Sequence, residues 1–323
     1  MKAIVHDRYG PVEVLEPREI DRPNARAGEV LVRVHAAGLH IGDCFAVRGS
    51  PFPVRLMTGL RRPKYGVPGL DFAGTVEALG ENVERLRPGD EVFGVGQGTC
   101  AEYARAGERE CELKPVSLTF EEAAALPTSA SAALHGLRDA GGLKPGQKVL
   151  INGASGGVGT FAVQIAKALG AEVTGVCSTS NVDLIRSLGA DHVVDYTRED
   201  FTQGRARYDL ILDNIENRPL SEVRRALAER GTLVLNSGTG ASGLAMMVRL
   251  VRPLVLSPFT GHSLRRYLSS PKQDDLADLA ALVEAGKLRP VIQAVYPLHE
   301  TPAALRHIET AHTRGKLVVA VSS

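Results

Sequence analysis

The sequence lacks three features that would assign it to a specialised class of protein. Its four cysteines are widely separated and form no C-x-x-C pair, which argues against a zinc knuckle or a disulfide framework and suits the reducing cytoplasm, our predicted location. It also lacks an excess of one charge, because 38 basic residues nearly cancel 37 acidic ones. The net charge of +1 gives no general reason to expect binding to nucleic acid or membranes, although a local patch remains open.

Long apolar runs are absent as well. The first residues contain no apolar stretch typical of a signal peptide. The most apolar later stretch, residues 246–259, is interrupted by Arg249, Arg252 and Pro253. We therefore expect neither a signal peptide nor a membrane span.

The length and the residue pattern predict two domains. A chain of 323 residues exceeds the size at which a single core usually stops growing. Up to about residue 120, short β-type runs alternate with glycine and proline turns, which predicts a small barrel. From Lys148 onward, apolar strands alternate with amphipathic helices, so we predict an α/β fold with a doubly wound parallel sheet. Its predicted strands are residues 148–152, 172–177, 192–194, 210–212 and 232–235.

A glycine loop lies between the first of these strands and a predicted helix. The loop reads Gly-Ala-Ser-Gly-Gly-Val-Gly over residues 153–159, and Ala154, Gly156 and Gly159 take the small-residue positions of a dinucleotide fingerprint. Gly156 lets the pyrophosphate approach the backbone, and Gly159 lets the helix pack near the strand. The helix N-terminus supplies amide donors for the phosphates. A tight turn without a ligand is the alternative.

The end of the second strand favours NADPH over NADH. An acidic residue there would bind the ribose hydroxyls of NAD and repel a 2′-phosphate. This strand is followed by Ser178, Thr179, Ser180 and Asn181, which are neutral hydrogen-bonding residues. Alternatively, the same cluster only caps the helix that begins near Val182.

Five segments together resemble the zinc-independent quinone oxidoreductases of the medium-chain dehydrogenase/reductase superfamily. They are residues 30–38, 68–74, 87–94, 153–159 and 188–196, the last of which reads Leu-Gly-Ala-Asp-His-Val-Val-Asp-Tyr. The resemblance implies a GroES-like β-barrel catalytic domain over residues 1–122, completed by residues 287–323. It also implies a Rossmann NADP-binding domain over residues 123–286, and it suggests a homodimer.

The resemblance also extends the set of expected cofactor-binding residues. Tyr196 would lie beside the adenosine 2′-phosphate, and residues after the fifth strand would border the nicotinamide half. The complete predicted cofactor set is Ala154, Ser155, Gly156, Gly157, Val158, Gly159, Ser178, Thr179, Asn181, Tyr196, Asn236, Ser237 and Gly238.

The same resemblance indicates that no zinc is bound. His40 stands where zinc-dependent relatives have their first cysteine ligand, and Leu70 stands where they have a histidine. The four-cysteine structural loop is missing too. A catalytic zinc usually has three protein ligands. His40 and Asp71 could supply two of them, and the third would have to come from an unknown group, so we expect no zinc site.

Without a Lewis acid, reduction of an activated acceptor is the expected direction, so we predict an NADPH-dependent reductase of a quinone or an α,β-unsaturated carbonyl. His40 and Arg48 are the candidates for stabilising charge on the carbonyl oxygen. His40 could instead be a hydrogen-bonded core residue and Arg48 a solvated loop charge, whereas Asp43 is expected to hold the loop. Phe45 replaces a tyrosine of some relatives, so His40 or solvent must supply any proton.

Some alternatives stay open from the sequence. Glu216 could lie near the nicotinamide ribose or point to solvent, and residues 246–259 could form a lid, a dimer contact or core. The protein could also be an enoyl-thioester reductase, which differs in substrate. If the protein is not an enzyme, the alternative is a catalytically idle NADPH-binding protein that acts as a sensor or as a partner of another protein.

Overall fold

The computed structural model describes residues 1–64, 66–236, 261–310 and 313–321. The chain forms two compact units, Met1–Ser131 with Ser270–Ser323, and Ala132–Ser269. These boundaries assign residues 123–131 and 270–286 to the first unit, whereas the predicted boundaries place both segments in the second domain. Tertiary contacts explain the difference: Thr128 donates from its backbone to Asp71 at 3.1 Å, and Gln273 bonds to Glu112 at 3.5 Å.

The first unit is built on antiparallel strands with a parallel pair at one edge. One small sheet pairs β1 (Lys2–Val5) with β2 (Glu16–Glu19). The larger sheet has the order β14-β15-β3-β4-β5-β7, with β6 also paired to β3. Its strands are β3 (Glu29–Leu39), β4 (Asp71–Leu79), β5 (Glu91–Val95), β6 (Tyr103–Gly107), β7 (Cys111–Leu113), β14 (Ile292–Pro297) and β15 (Lys316–Ala320).

Strand β3 organises this unit, because it pairs with β4, β6 and β15. Its Val30, Val32 and Val34 alternate into one apolar core with Phe72. Residues near its other end belong to a second core, which also takes Leu317 from β15. The short β-type runs predicted up to about residue 120 correspond to observed strands, among them β3, β4 and β5.

The second unit is a six-stranded parallel sheet, which confirms the predicted doubly wound α/β fold. The strand order is β10-β9-β8-β11-β12-β13. In chain order the strands are β8 (Lys148–Asn152), β9 (Glu172–Cys177), β10 (His192–Asp195), β11 (Tyr208–Asp213), β12 (Leu227–Leu235) and β13 (Ser263–Arg266). Because the order reverses between β8 and β11, ligands of such sheets bind beyond the carboxyl ends of these strands.

The α-helices in the described ranges are mostly short. They are α1 (Ile41–Arg48), α2 (Val54–Thr58), α3 (Phe120–Ala124), α4 (Pro127–Leu134), α5 (Gly157–Ala168), α6 (Val182–Ser187), α7 (Leu220–Arg225), α8 (Gln273–Glu284) and α9 (Thr301–Glu309). Helix α5 buries Phe161, Ala162, Ile165 and Ala166, as its apolar spacing predicts. Across the described residues, no helix combines the length and apolarity needed to cross a membrane.

Candidate active site

The glycine loop of the second unit has the geometry that a dinucleotide needs. Helix α5 begins at Gly157, and its N-cap residue is Gly156, which has no side chain that could cap the helix. The first amides of the helix therefore have no acceptor within the helix itself. A Cβ on Gly156 would meet only Gly153 O, at 3.5 Å, whereas a Cβ on Gly159 would lie 2.1 Å from that oxygen. The loop face at Gly156 is open to a ligand, while Gly159 is required for packing.

Asn181 connects this loop to the end of β9. Its amide nitrogen donates to Ser155 Oγ at 3.3 Å and to Ser178 Oγ at 3.1 Å. Asn181 is also the N-cap position of α6, but its side chain makes no capping hydrogen bond there. The interpretation that this cluster only caps the helix is therefore wrong, because its polar groups bond to one another and to the glycine loop.

Thr179, which is in the predicted cofactor-binding set, donates its hydroxyl proton to a side chain of the protein. Its hydroxyl donates to Asp195 Oδ2 at 2.6 Å, and Thr197 donates to Asp195 Oδ1 at 2.7 Å. A threonine hydroxyl has one proton, so Thr179 in this arrangement cannot also donate to a phosphate. The Thr179 hydrogen bond is the main cause that lowers the pKa of Asp195, which keeps this carboxyl ionised. Tyr196 follows directly and is half exposed.

Asparagines hold the ends of the central strands together. Asn152 ends β8 and donates to the buried Asp213 at 2.8 Å, while Asn214 donates to the backbone carbonyl of Asn152 at 3.1 Å. The predicted site residue Asn236 follows β12 and donates to Asn214 Oδ1 at 2.8 Å. The network gives this sheet edge a fixed set of polar groups. Ser237, Gly238 and residues 246–259 lie outside the described residues.

Glu216 does not point to solvent, which is one of its two predicted positions; its position near the nicotinamide ribose stays a prediction. Its side chain is only 6% exposed and forms an ion pair with Arg266. The backbone holds it in the left-handed region with φ of 54°, while its amide donates to Asp213 at 2.8 Å. Local sequence could not predict this partner, because Arg266 comes from a strand 50 residues further along the chain.

The residues around the glycine loop fit a nicotinamide dinucleotide. The open face at Gly156, the amides at the start of α5 and the polar residues beyond β9 and β10 lie at adjacent strand ends. Backbone amides at a helix N-terminus bind phosphate, and side-chain hydroxyls beyond the second strand suit a ribose. We therefore assign these groups as those that would hold the cofactor.

In the first unit, one ring nitrogen of His40 accepts a hydrogen bond, and the other has no hydrogen-bond partner among the described residues. His40 is the N-cap of α1, where its Nδ1 accepts a hydrogen bond from the Gly42 amide at 3.0 Å. In the described part of the chain, its Nε2 is buried and has no hydrogen-bond partner. Because an accepting Nδ1 has no proton, a neutral ring must have its proton on Nε2. His40 thus presents a buried N–H donor.

Three strand ends bring charged groups next to His40. In the sheet register, Gly38 pairs with Asp71 of β4, and Leu39 pairs with Leu317 of β15. Asp71 and Lys316 are therefore placed at the same end of the sheet as His40. Lys316 Nζ lies 3.7 Å from Asp71 Oδ2 and donates to Ser129 Oγ at 2.9 Å. We call His40, Asp43, Asp71 and Lys316 the buried polar cluster.

Burial dominates the electrostatics of this cluster. It lowers the pKa of His40 to about 4, with Asp71 opposing the shift and Lys316 adding to it. It also lowers the pKa of Lys316 and raises that of Asp71, and in both cases the partner's charge opposes the shift. Burial raises the pKa of Asp43 to about 7. His40 is consequently neutral at physiological pH.

Asp43 and Arg48 make structural contacts on the same helix. Asp43 accepts from the His40 amide at 2.8 Å and completes a capping box, so it holds the loop as the sequence suggested. Arg48 forms an ion pair with Glu309, with Nε 2.6 Å from Oε1 and Nη2 2.6 Å from Oε2. A catalytic role for Arg48 stays a prediction that this contact does not support.

Lys316 is the member of the cluster that the sequence did not reveal. It follows Gly315 at the start of an apolar strand, where a lysine is usually solvated, yet it is only 2% exposed. Leu70, at the position of a lost metal ligand, is 44% exposed. The signal that could have found Lys316 is the pairing of its neighbour Leu317 with Leu39, the residue before His40, and this pairing is known only from the tertiary structure.

Known families match both parts of the chain. The alcohol dehydrogenase GroES-like domain family matches residues 26–170, and the zinc-binding dehydrogenase family matches residues 188–319. The mitochondrial NAD(P)H oxidoreductase RTN4IP1 of Mus musculus is 33% identical, across 99% of this chain and 89% of the relative. The chain belongs to the medium-chain dehydrogenase/reductase superfamily. This identification confirms the predicted resemblance.

Other superfamily members narrow the assignment to the quinone oxidoreductase-like group. The chloroplastic NADPH-dependent alkenal/one oxidoreductase of Arabidopsis thaliana is 31% identical, across 99% of this chain and 79% of the relative. The quinone oxidoreductase structure of Coxiella burnetii superposes with a TM-score of 0.86 at 32% identity, covering 100% of this chain and 99% of the other. This superfamily member is therefore an oxidoreductase with a nicotinamide cofactor, a GroES-like domain and a Rossmann-like domain.

Proposed function

We propose that the protein is an NADPH-dependent reductase that transfers hydride to a quinone or an α,β-unsaturated carbonyl without a metal ion. The bound cofactor supplies the hydride, and the protein must stabilise the charge that develops on the acceptor oxygen. His40 carries this proposal. Its Nε2 proton is buried, fixed in direction by the Gly42 contact to Nδ1, and without a partner among the described residues.

His40 would act as a neutral hydrogen-bond donor. A pKa of about 4 for its imidazolium leaves the ring neutral, and a neutral imidazole donor is a weak acid that keeps its proton. Reduction of an enone then proceeds by hydride addition at the β carbon, stabilisation of the enolate oxygen by His40, and proton uptake at the α carbon from solvent. Solvent is the proposed proton source, since Phe45 offers no hydroxyl.

Lys316 is proposed as a positioning residue. Its ammonium opposes protonation of His40, and Asp71 and Ser129 hold it in place. Burial of a charged side chain costs folding free energy even when the charge is paired. The presence of Lys316 in the buried polar cluster therefore supports a role beyond packing. The same ammonium supports the proposal that no metal binds, because a second cation beside His40 and Asp71 would be repelled.

NADPH is proposed over NADH because no carboxylate directly follows β9. Ser178 and Ser180 share one hydrogen bond at 3.2 Å, so one of the two hydroxyls retains a donor. Asp195 is the last residue of β10, but its oxygens accept from Thr179 and Thr197, and Arg198 lies 3.4 Å from it. Its negative charge is thereby offset near the proposed 2′-phosphate site.

A kinetic experiment tests the proposal. Purified protein is mixed with NADPH or NADH, and absorbance of the reduced nicotinamide is followed with a panel of quinones and enones. We expect oxidation of NADPH, slowed about a hundred-fold by His40→Ala with little change in NADPH affinity. Metal analysis of the active protein should find less than one zinc per chain. A loss of NADPH affinity equal to the loss of turnover would contradict the role of His40.

The proposal also covers the location of the protein in the cell and its oligomeric state. The four cysteines are free and buried, which supports location in the reducing cytoplasm, and fractionation tests it. A homodimer that acts on a small molecule is the proposed assembly, measured by light scattering. Binding of NADPH without turnover on any acceptor would favour the idle binding protein, whereas turnover only on an enoyl thioester would identify that substrate.

A further inference from the structure

The loop that follows β11 contains a residue in an unfavourable backbone conformation. We call residues 213–217, which read Asp-Asn-Ile-Glu-Asn, the β11 loop. Glu216 lies in the left-handed region, with φ of 54°, which favours glycine because a Cβ there crowds the backbone. Residues other than glycine keep this conformation only where their surroundings fix it, and they are frequent at ligand sites. A specific set of contacts must therefore hold Glu216 in place.

Arg266 supplies one of these contacts from two strands away. In the sheet register, Arg266 of β13 pairs with Leu235 of β12, and Leu235 pairs with Asp213 at the end of β11. The Glu216 carboxylate therefore extends over β12 to form its ion pair with Arg266, 2.5 Å apart. Both side chains are largely buried, and a buried charge is costly unless it is paired. The ion pair thus ties the β11 loop to β13.

The β11 loop also packs on the glycine loop. A Cβ on Gly153, the first residue of the glycine loop, would lie 2.7 Å from both Cγ1 and Cδ1 of Ile215. The Ile215 side chain therefore lies directly over Gly153. Ile215 precedes Glu216 in the chain, and both amides donate to the Asp213 carboxylate, at 3.1 Å and 2.8 Å. The position of Glu216 consequently determines where Ile215 packs.

Polar contacts connect the same loop to Asn152, the residue before the glycine loop. The Asn152 side-chain amide donates to Asp213 Oδ1 at 2.8 Å and to Asn217 Oδ1 at 3.3 Å. The backbone amide of Asn214 donates to the Asn152 carbonyl at 3.2 Å. Glycine loses more conformational freedom on folding than any other residue, so a glycine-rich loop depends on neighbouring segments to hold it. The β11 loop provides such contacts.

We propose that Glu216 and Arg266 are positioning residues for the nicotinamide cofactor, which act through Ile215 to hold the glycine loop in the conformation that accepts the pyrophosphate. Neither side chain needs to touch the cofactor for this role. Amides that are already in place bind a phosphate without an ordering cost, so a fixed loop raises the affinity. The inference rests on the cofactor of the proposed function and is independent of the acceptor.

Hydrogen exchange of the cofactor-free chain tests the positioning role. Glu216→Gly removes the carboxylate and suits the left-handed backbone, whereas Glu216→Gln keeps the side-chain shape and removes the charge. The probes are the amides of Ala154 and Gly156, which donate to backbone carbonyls. We expect about ten-fold faster exchange in Glu216→Gly, from the loss of a hydrogen bond between charged groups, and about three-fold in Glu216→Gln, since a neutral hydrogen bond is about half as strong.

Asp191→Asn is the matched control within the second unit. Asp191 forms an ion pair with Lys167 at 2.8 Å and accepts from the Val173 amide at 2.7 Å. Val173 is near the start of β9, so this ion pair lies at the opposite edge of the parallel sheet from the glycine loop. Asp191→Asn should lower the melting temperature but leave exchange at Ala154 and Gly156 unchanged.

NADPH affinity is measured on the same variants by fluorescence titration without an acceptor. It should fall about ten-fold in Glu216→Gly, in parallel with the exchange rates, and stay at the parent value in Asp191→Asn. Melting temperatures show that each variant is folded, and Glu216→Gln remains a test if Glu216→Gly unfolds.

Three results would overturn the proposal. Exchange like that of the parent in Glu216→Gly would show that the ion pair does not hold the loop. Equal changes in Asp191→Asn would show a general loss of stability, and faster exchange with unchanged NADPH affinity would show that the cofactor does not need a fixed loop. A parent chain that binds neither NADPH nor NADH would instead refute the proposed function, and the exchange rates would still decide whether Glu216 holds the glycine loop.

Discussion

The Lys316 ammonium and the Asp71 carboxylate form an ion pair, 3.7 Å apart, with side chains only 2% and 0% exposed. Removal of one partner leaves an uncompensated buried charge, which typically costs about 3 kcal/mol of folding free energy. We therefore expect Lys316→Met to lower the unfolding free energy by about this amount, measured by denaturant titration. Turnover should fall as well, because the ammonium beside the proposed donor His40 no longer helps to stabilise the negative charge that develops on the acceptor oxygen.

A double variant separates the two effects of Lys316. Asp71→Asn combined with Lys316→Met removes both charges, so most of the stability should return. Turnover should stay at least about ten-fold below that of the parent, because His40 still lacks the nearby ammonium. Full recovery of turnover together with stability would show that Lys316 has a structural role alone.

A pH-dependent contribution of His40 to stability follows from its lowered pKa. The pKa is about 4 in the folded chain and 6.5 for an unperturbed histidine. Between these pH values the unfolded chain binds a proton that the folded chain does not, so the contribution rises with pH. The reference variant is His40→Asn, which also caps a helix but does not titrate.

The measurement is the unfolding free energy of both proteins between pH 4 and pH 7. The parent should gain stability relative to His40→Asn as the pH rises through this range, by up to about 3 kcal/mol. The comparison cancels most of the contribution of Asp43, whose pKa is shifted in the opposite direction. A difference that is constant with pH would show that folding does not lower the pKa of His40.

Local patterns predicted the parallel sheet and the glycine loop, whereas partners distant in sequence could not be predicted. The strands at residues 148–152 and 172–177 are bounded as predicted, because apolar runs end at polar or glycine residues. Lys316, by contrast, bonds to Ser129, 187 residues away. The contact of Thr179 with Asp195 likewise depends on the pairing of β9 with β10. Neither contact has a signature in the neighbouring sequence.

Two glycines of the loop should respond differently to alanine. Gly159→Ala would place a Cβ 2.1 Å from Gly153 O, so we expect a lower melting temperature and loss of NADPH binding. Gly156→Ala meets nothing closer than 3.5 Å, so its melting temperature should stay near that of the parent. NADPH affinity, measured by fluorescence titration, should still fall at least about ten-fold, because the methyl group occupies the face that the pyrophosphate approaches. Unchanged affinity in Gly156→Ala would contradict this placement.

Arg48 and Glu309 should behave as a surface ion pair. Arg48→Ala and Glu309→Gln are each expected to lower the unfolding free energy by less than about 1 kcal/mol, because such pairs contribute little. Neither substitution should change turnover with the best acceptor. A fall in turnover for Arg48→Ala, without a matching fall for Glu309→Gln, would restore the predicted catalytic role of Arg48.

A substitution directly after β9 tests whether the protein prefers NADPH to NADH. Ser178→Asp places a carboxylate where a 2′-phosphate is proposed to lie, and it offers an acceptor for the ribose hydroxyls of NADH instead. We expect the ratio of kcat/KM for NADPH to that for NADH to fall at least about a hundred-fold. Ser187→Asp, on the exposed side of α6, introduces the same charge as a control and should leave the ratio unchanged. If Ser178→Asp also leaves it unchanged, the 2′-phosphate does not bind beside β9, and cofactor preference must arise elsewhere in the second unit.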